Sequence, residues 1–203
     1  MALPLGLRGA VALIVAIAAG GCATSSNSGV PNVHTVIPGV LVRGGQPNEG
    51  GFRRLRDTYG VAAVVNLNDQ TVHSERAMVE ACGMTYVPLP SNAFKPDADK
   101  VLTFLRAVEE SKHKGAVYVH CKHGMDRTGL AVAAYRIAVQ GWDADRALAE
   151  LRRYQAFSHE LVFKNLHQYV RGIGRDRDQW SERVAAFAVP AVGEDAQVAD
   201  AGG

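Results

Sequence analysis

An α/β fold, with a central mostly parallel sheet of about five strands flanked by helices, is the architecture this sequence predicts. Three observations predict it. Short runs of β-branched and apolar residues alternate with longer segments of helical period. One of those runs, Ala116-Val117-Tyr118-Val119, feeds a glycine-bearing loop that leads into an Ala-rich helical stretch from Leu130 to Val139. About 180 residues remain once the first 21 of 203 are set aside, a length suited to one domain.

The chain opens Met1-Ala2-Leu3-Pro4-Leu5-Gly6-Leu7-Arg8, then runs apolar from Gly9 to Gly21 before Cys22. One early arginine, a short apolar core and small residues before the break describe an export signal over residues 1–21. The run falls short of the roughly 20 residues that cross a bilayer comfortably. Residues 22–32, rich in Ser, Asn and Gly, read as a flexible tether, and a single domain is expected over residues 33–174. Its strands are predicted at 33–37, 40–43, 61–67, 84–89 and 116–120. Its helices are predicted at about 51–59, 72–82, 97–112, 128–140, 143–155 and 159–172. Gly141-Trp142 separates two of these helices, with Asp143 as a cap. Leu148, Leu151 and Tyr154 share a core face of one late helix, and Leu161, Leu166 and Tyr169 a core face of the next. Beyond Gly174, the charge cluster Arg175-Asp176-Arg177-Asp178 and the aperiodic residues 191–203 predict a mostly disordered tail over 175–203, with room for a short helix between Trp180 and Val189.

The formal charge of +2, or +1 without Arg8, leaves no footprint for nucleic acid. There is no internal repeat, dinucleotide fingerprint or His/Cys cluster with metal-ligand spacing. His73, His113, His159 and His167 are scattered, and surface or core roles fit them better than ligation.

The chemistry concentrates in His120-Cys121-Lys122-His123-Gly124-Met125-Asp126-Arg127-Thr128-Gly129. A thiol attacks well only as a thiolate, and a free cysteine is mostly protonated at neutral pH. A helix starting near Thr128 would favour the anion, because its N-terminus presents unpaired N–H groups and partial positive charge. Those groups, with the N–H groups of residues 122–127, can curl around a phosphate dianion, so Lys122, His123, Gly124, Met125 and Gly129 become binding residues. Gly124 and Gly129 let the backbone turn without a Cβ penalty. Arg127 presents a planar fork suited to two phosphate oxygens. Thr128 can donate its hydroxyl to the sulfur, and His120 is placed to fix the loop backbone. A lone cysteine is most often an inert core thiol. Here the spacing, both glycines, the Arg-Thr pair and the strand–loop–helix setting would all have to coincide.

His-Cys-x5-Arg-Thr-Gly resembles the signature of the cysteine-dependent protein tyrosine phosphatase superfamily, and the small domain resembles its atypical dual-specificity branch. Leu41-Val42-Arg43-Gly44-Gly45-Gln46-Pro47 and Val61-Ala62-Ala63-Val64-Val65-Asn66-Leu67 carry the likeness upstream, over about residues 33–172. The resemblance implies attack by Cys121 on phosphorus, a phosphocysteine intermediate held by Arg127, and hydrolysis by water, with no metal or other cofactor. Relatives usually supply an aspartate about thirty residues before the nucleophile as general acid, but Pro88-Leu89-Pro90-Ser91-Asn92-Ala93-Phe94 holds no carboxylate. Asp126 occupies the position of a loop aspartate in the myotubularin and Sac-type lipid phosphatases and is the favoured acid. Asp97 is the alternative, although Asp97 and Asp99 also suit the N-terminus of a helix. Asp69 reads as a solvated turn residue after a strand whose carboxyl end should face the site.

Lys122 and His123 add positive charge at the loop rim, which favours strongly anionic substrates. A phosphorylated protein, an inositol phosphate or a phosphoinositide is therefore the expected partner. Ala19-Gly20-Gly21-Cys22 resembles the bacterial lipobox, implying a lipid on Cys22 that tethers an exported protein to a membrane of the bacterial envelope, on its periplasmic or outer face. Export sets a low-pKa thiol in an oxidising compartment. Some relatives protect it through a second cysteine, but Cys82 reads better as a buried spectator. Two further readings share the loop: a phosphate-binding pseudophosphatase, and a rhodanese-like sulfurtransferase, against which the Arg-Thr-Gly ending argues.

Overall fold

A computed structural model describes residues 29–187 apart from 71 and 156. The predicted export signal, most of the tether, Cys22 and residues 188–203 lie outside the described residues. The β-branched runs form five strands, β1 (His34–Ile37), β2 (Leu41–Gly44), β3 (Val61–Asn66), β4 (Thr85–Pro88) and β5 (Ala116–His120). Their order across the sheet is β1-β2-β5-β3-β4. The edge strand β1 runs antiparallel to β2, and the other neighbours are parallel. Every residue of β5 is buried, as expected for a central parallel strand covered on both faces.

Eight helices accompany the sheet among the described residues: α1 (Glu49–Tyr59), α2 (Val72–Ala81), α3 (Ala98–Ser111), α4 (Asp126–Ala138), α5 (Ala144–Tyr154), α6 (Phe157–Val162), α7 (Lys164–Arg175) and α8 (Arg177–Ala185). Caps set several of their ends. Asn48 accepts from Gly51 N, Asp97 from Asp99 N and Lys100 N, and Asp143 from Arg146 N.

Alternation along the strands divides the core into two layers. Leu41, Val65, Val117, Val119 and Cys121 pack with α3, α4, α5 and α7. Val42, Val64, Ala116 and Tyr118 pack with Phe52, Leu55 and Val79 on the other face. Helix α4 is buried at every position from Thr128 to Ala138, because sheet and helices surround it. The loop between β5 and α4 therefore opens at the carboxyl edge of the sheet's centre, on two buried elements.

The helix expected over 159–172 breaks at Phe163, whose φ/ψ of −104°/41° is not helical. The break carries Leu161 off the core face, leaving it 58% exposed, while Leu166 stays buried. The charge cluster at 175–178 opens α8 rather than a disordered tail. Trp180 and Val184, four residues apart, share one helical face and are buried in the core, and Ser181 Oγ donates to Ala138 O at 2.8 Å. No helix among the described residues is long and apolar enough to cross a membrane.

Candidate active site

β5 ends at His120, so Cys121 emerges at the centre of the sheet and is 4% exposed. Neighbouring segments clasp the loop that follows. Leu67 N donates to His120 O at 2.8 Å, and Gln46 N to Lys122 O at 3.1 Å. Gly124 has φ +74°, and a Cβ there would lie 2.4 Å from the Gly44 carbonyl carbon. Only glycine fits such a position. Among the described residues, none of the N–H groups of residues 122–127 finds an acceptor, and α4 begins at Asp126. The loop thus presents a run of unpaired donors beside a helix N-terminus, the physical make-up of an oxyanion cradle.

Two loop residues act differently from expectation. Gly129 is no turn residue. It lies within α4, where a Cβ would approach Leu151 Cγ at 3.0 Å, so its small size admits α5. Thr128 makes no bond to sulfur, and its fully buried hydroxyl has no partner among the described residues. The helix begins two residues earlier than predicted, which places Thr128 inside the first turn and encloses its side chain.

Arg127 is anchored from outside the loop: Nη1 donates to Leu67 O at 3.0 Å and to Ser91 O at 3.4 Å. Its Nη2 has no partner among the described residues and remains for a ligand. Arg127 lines a small pocket together with Leu67, Ser91, Asp97, Phe104 and Leu130. Asp97 thus shares a pocket with Arg127, yet its Oδ1 caps α3 through Asp99 N (2.9 Å) and Lys100 N (3.2 Å). Asp99 is exposed, 3.7 Å from Arg183. Asp69, also exposed, comes within 3.9 Å of Arg127 Nη1. Lys122 and His123 stand exposed at the rim, and Met125 is half-buried.

On the α2 side the loop rests on a buried polar network. His120 Nε2 meets Glu75 Oε1 at 2.8 Å, both side chains fully buried. Glu75 Oε2 also accepts from Gln46 Nε2 (2.6 Å) and Asn66 Nδ2 (3.1 Å), so a buried carboxylate is matched by donors on every side. On the other face, Arg43 is 1% exposed, stacks 3.8 Å over the Tyr154 ring and donates through Nη2 to Gly124 O at 2.7 Å. Burial lowers its guanidinium to about 10, partly offset by Tyr154, Glu150 and Cys121, so it stays charged at neutral pH. Tyr118 donates to Gly45 O at 2.6 Å, and burial, reinforced by Cys121, pushes its phenol well above the ordinary range and keeps it a donor.

Asp126 turns toward the α5–α6 junction. Its Oδ1 accepts from Gln155 Nε2 at 2.7 Å, and its Oδ2 meets His159 Nδ1 at 2.9 Å. His167 Nε2 in turn meets Gln155 Oε1 at 3.0 Å.

Comparison with known proteins bears on this geometry. A family described as DSP-PTPase phosphatase fused to NAD+ kinase matches residues 22–167. The chain belongs to the DSP-PTPase phosphatase family. It is 39% identical over 145 residues to the dual specificity protein phosphatase TpbA of Pseudomonas aeruginosa strain UCBPP-PA14, a match covering 71% of this chain and 64% of that protein. It is 29% identical over 133 residues to human phosphatidylglycerophosphatase and protein-tyrosine phosphatase 1, covering 60% of this chain and 65% of that protein. The crystal structure of P. aeruginosa TpbA in complex with pTyr superposes with a TM-score of 0.65 at 30% identity, covering 80% of this chain and 99% of that one.

Within this DSP-PTPase domain, sequence reading missed the loop's supports: Arg43, Glu75, Gln155 and His159. Arg43 lay inside the quoted Leu41–Pro47 segment, and a charged residue in an apolar strand was the available signal. Glu75 and His159 offered none, since a Glu or His on a polar helix face looks alike whether or not it folds against a loop. Cys82 and Cys121 are both free thiols, packed in different core layers.

Proposed function

We propose that this chain is a phosphomonoester hydrolase that works through a phosphocysteine, with Cys121 as nucleophile and Arg127 as phosphate clamp. One observation carries the reading. A buried cysteine sits at the end of the central strand, beneath a loop of unpaired N–H groups closed by an arginine with a free Nη2. In the first step Cys121 Sγ bonds to phosphorus as the ester P–O bond breaks, and the leaving oxygen takes a proton. In the second, water attacks phosphorus and the thiolate departs. The N–H groups and Arg127 stabilise charge on the phosphoryl oxygens at both transition states.

A phosphotyrosine-bearing protein is the proposed substrate, by analogy with the TpbA complex with pTyr. The exposed Lys122 and His123 favour a second reading, inositol phosphates or phosphoinositides. Export with a lipid on Cys22 is proposed from the N-terminal sequence. Purified protein is expected to hydrolyse an aryl phosphate and to show transient phosphocysteine by rapid-quench mass spectrometry. Cys121→Ser is expected to abolish both with the fold intact. Binding without turnover would leave a phosphate-capturing pseudophosphatase, and thiosulfate turnover a sulfurtransferase.

A further inference from the structure

We infer that His159, oriented by Asp126, is the proton donor to the leaving oxygen. The inference rests on the phosphatase reading above and names the group that reading leaves open.

The carboxylates near the loop are committed elsewhere. Asp97 caps α3, and Asp69 faces the Arg127 guanidinium. Both oxygens of Asp126 accept, one from Gln155 and one from His159. An ionised carboxylate only accepts, so the shared proton lies on His159 Nδ1. That leaves Nε2 as the outward nitrogen. It has no partner among the described residues, and the His159 side chain is 31% exposed. A carboxylate on one ring nitrogen and an open position on the other is an arrangement that fixes the ring's orientation, so that Nε2 is where the imidazolium form carries its transferable proton. His167, 5% exposed, holds the Gln155 amide that holds Asp126, so four side chains together point a single ring nitrogen, His159 Nε2, outward.

The placement follows an arc of rings. His159 meets Phe163 edge-on at 5.6 Å, and Phe163 meets Phe94 at 4.8 Å. Phe94 belongs to the segment whose Ser91 carbonyl accepts from Arg127. The arc therefore links Asp126, through His159 and two phenyl rings, to the segment that anchors Arg127. It passes through the 88–94 segment, where the usual aspartate is missing. As Sγ–P forms and P–O breaks, the electron pair goes to the leaving oxygen, which takes the Nε2 proton. Neutral His159 then accepts a proton from the water that attacks phosphorus, Sγ leaves as thiolate, and the imidazolium is restored. Asp126 acts through His159 and is a positioning residue.

The test uses the full chain and a series of phosphate esters from nitrophenyl to alkyl. His159→Asn is expected to lose about 10²-fold or more in kcat on alkyl esters, and under about threefold on nitrophenyl phosphate, which needs no proton. Asp126→Asn is expected to show the same selectivity. Added imidazole is expected to restore alkyl turnover to His159→Gly and to leave its nitrophenyl rate unchanged. Equal loss on every ester, with no rescue, would make His159 only a tie between α6 and the loop and overturn the proposal. So would selective loss in Asp69→Asn or Asp97→Asn instead. An inactive wild type, or an active Cys121→Ser, would sink the phosphatase reading itself and is a separate outcome.

Discussion

Two carboxylate–histidine pairs flank the loop at almost the same distance, Glu75–His120 at 2.8 Å and Asp126–His159 at 2.9 Å, in opposite surroundings. The first is fully buried under the loop, and its carboxylate is ringed by further donors from Gln46 and Asn66. The second lies at the rim, with its histidine 31% exposed and one ring nitrogen open. Burial separates their roles. A sealed pair has no partner to exchange protons with, and losing either member strands a charge, so it can only hold shape. In the second pair only the carboxylate is buried, and the open ring nitrogen can pass a proton to whatever enters the mouth.

The largest effect expected is on the loop's shape. Gly124→Ala adds a Cβ 2.4 Å from the Gly44 carbonyl carbon at a left-handed φ of +74°. The clash is with backbone, so the loop itself must move. Turnover of an aryl phosphate is expected to fall by more than about 10²-fold, since a misplacement of roughly 1 Å can cost that much. Next comes the buried pair. Glu75→Ala takes from buried His120 its carboxylate partner and from Gln46 and Asn66 one of their acceptors, and is expected to destabilise by about 3–5 kcal/mol. Calorimetry is expected to show Tm lower by roughly 10 °C. Asp126→Ala removes a buried carboxylate with fewer partners, one of them the half-open His159, and is expected to cost less, about 1–3 kcal/mol. Equal Tm losses in the two variants would erase the distinction drawn between them.

The strands and the loop were legible in the sequence, and the loop's supports were not. Local pattern fixes what is local: β-branched runs give β1 to β5, and Cys121 to Arg127 are neighbours along the chain. Arg43, Glu75 and His159 reach the loop from 78, 46 and 38 residues away, through β2, α2 and α6, and no periodicity encodes such meetings. The helix break at Phe163 was hidden for a related reason. The apolar spacing of Leu161, Leu166 and Tyr169 is compatible with one helix, and tertiary packing decides that only Leu166 becomes fully buried.

Arg43 sharpens the comparison as a buried charge without a carboxylate partner. Its Nε and Nη1 have no hydrogen-bond partner among the described residues. Because burial brings its folded value down to about 10, below the ordinary arginine range, the charged form is penalised in the folded state. The penalty is complete below about pH 10 and fades as pH rises from there into the ordinary arginine range. At pH 7, Arg43→Met relieves that penalty while losing the bond to Gly124 O, so the stability change is expected to stay within about 1 kcal/mol. Activity is expected to fall about tenfold, the worth of one charge-assisted bond to the loop. A Tm loss as large as that of Glu75→Ala would show that the guanidinium is structural in the same sense as the sealed pair.

The smallest effect tests the rim alone. The Lys122 and His123 side chains are exposed and, among the described residues, make no hydrogen bond or ion pair; only their backbone carbonyls are held. Their charge acts only through solvent, where interactions beyond about 8–10 Å are screened at physiological salt. Lys122→Ala is therefore expected to raise KM about threefold for a multiply phosphorylated inositol and hardly at all for a singly phosphorylated tyrosine peptide, with kcat unchanged for both. The difference is expected to shrink in 0.5 M salt. A fall in kcat, or a loss that salt does not diminish, would mean that the Lys122 ammonium touches the reacting phosphate, and the rim would then belong to the chemistry rather than to substrate choice.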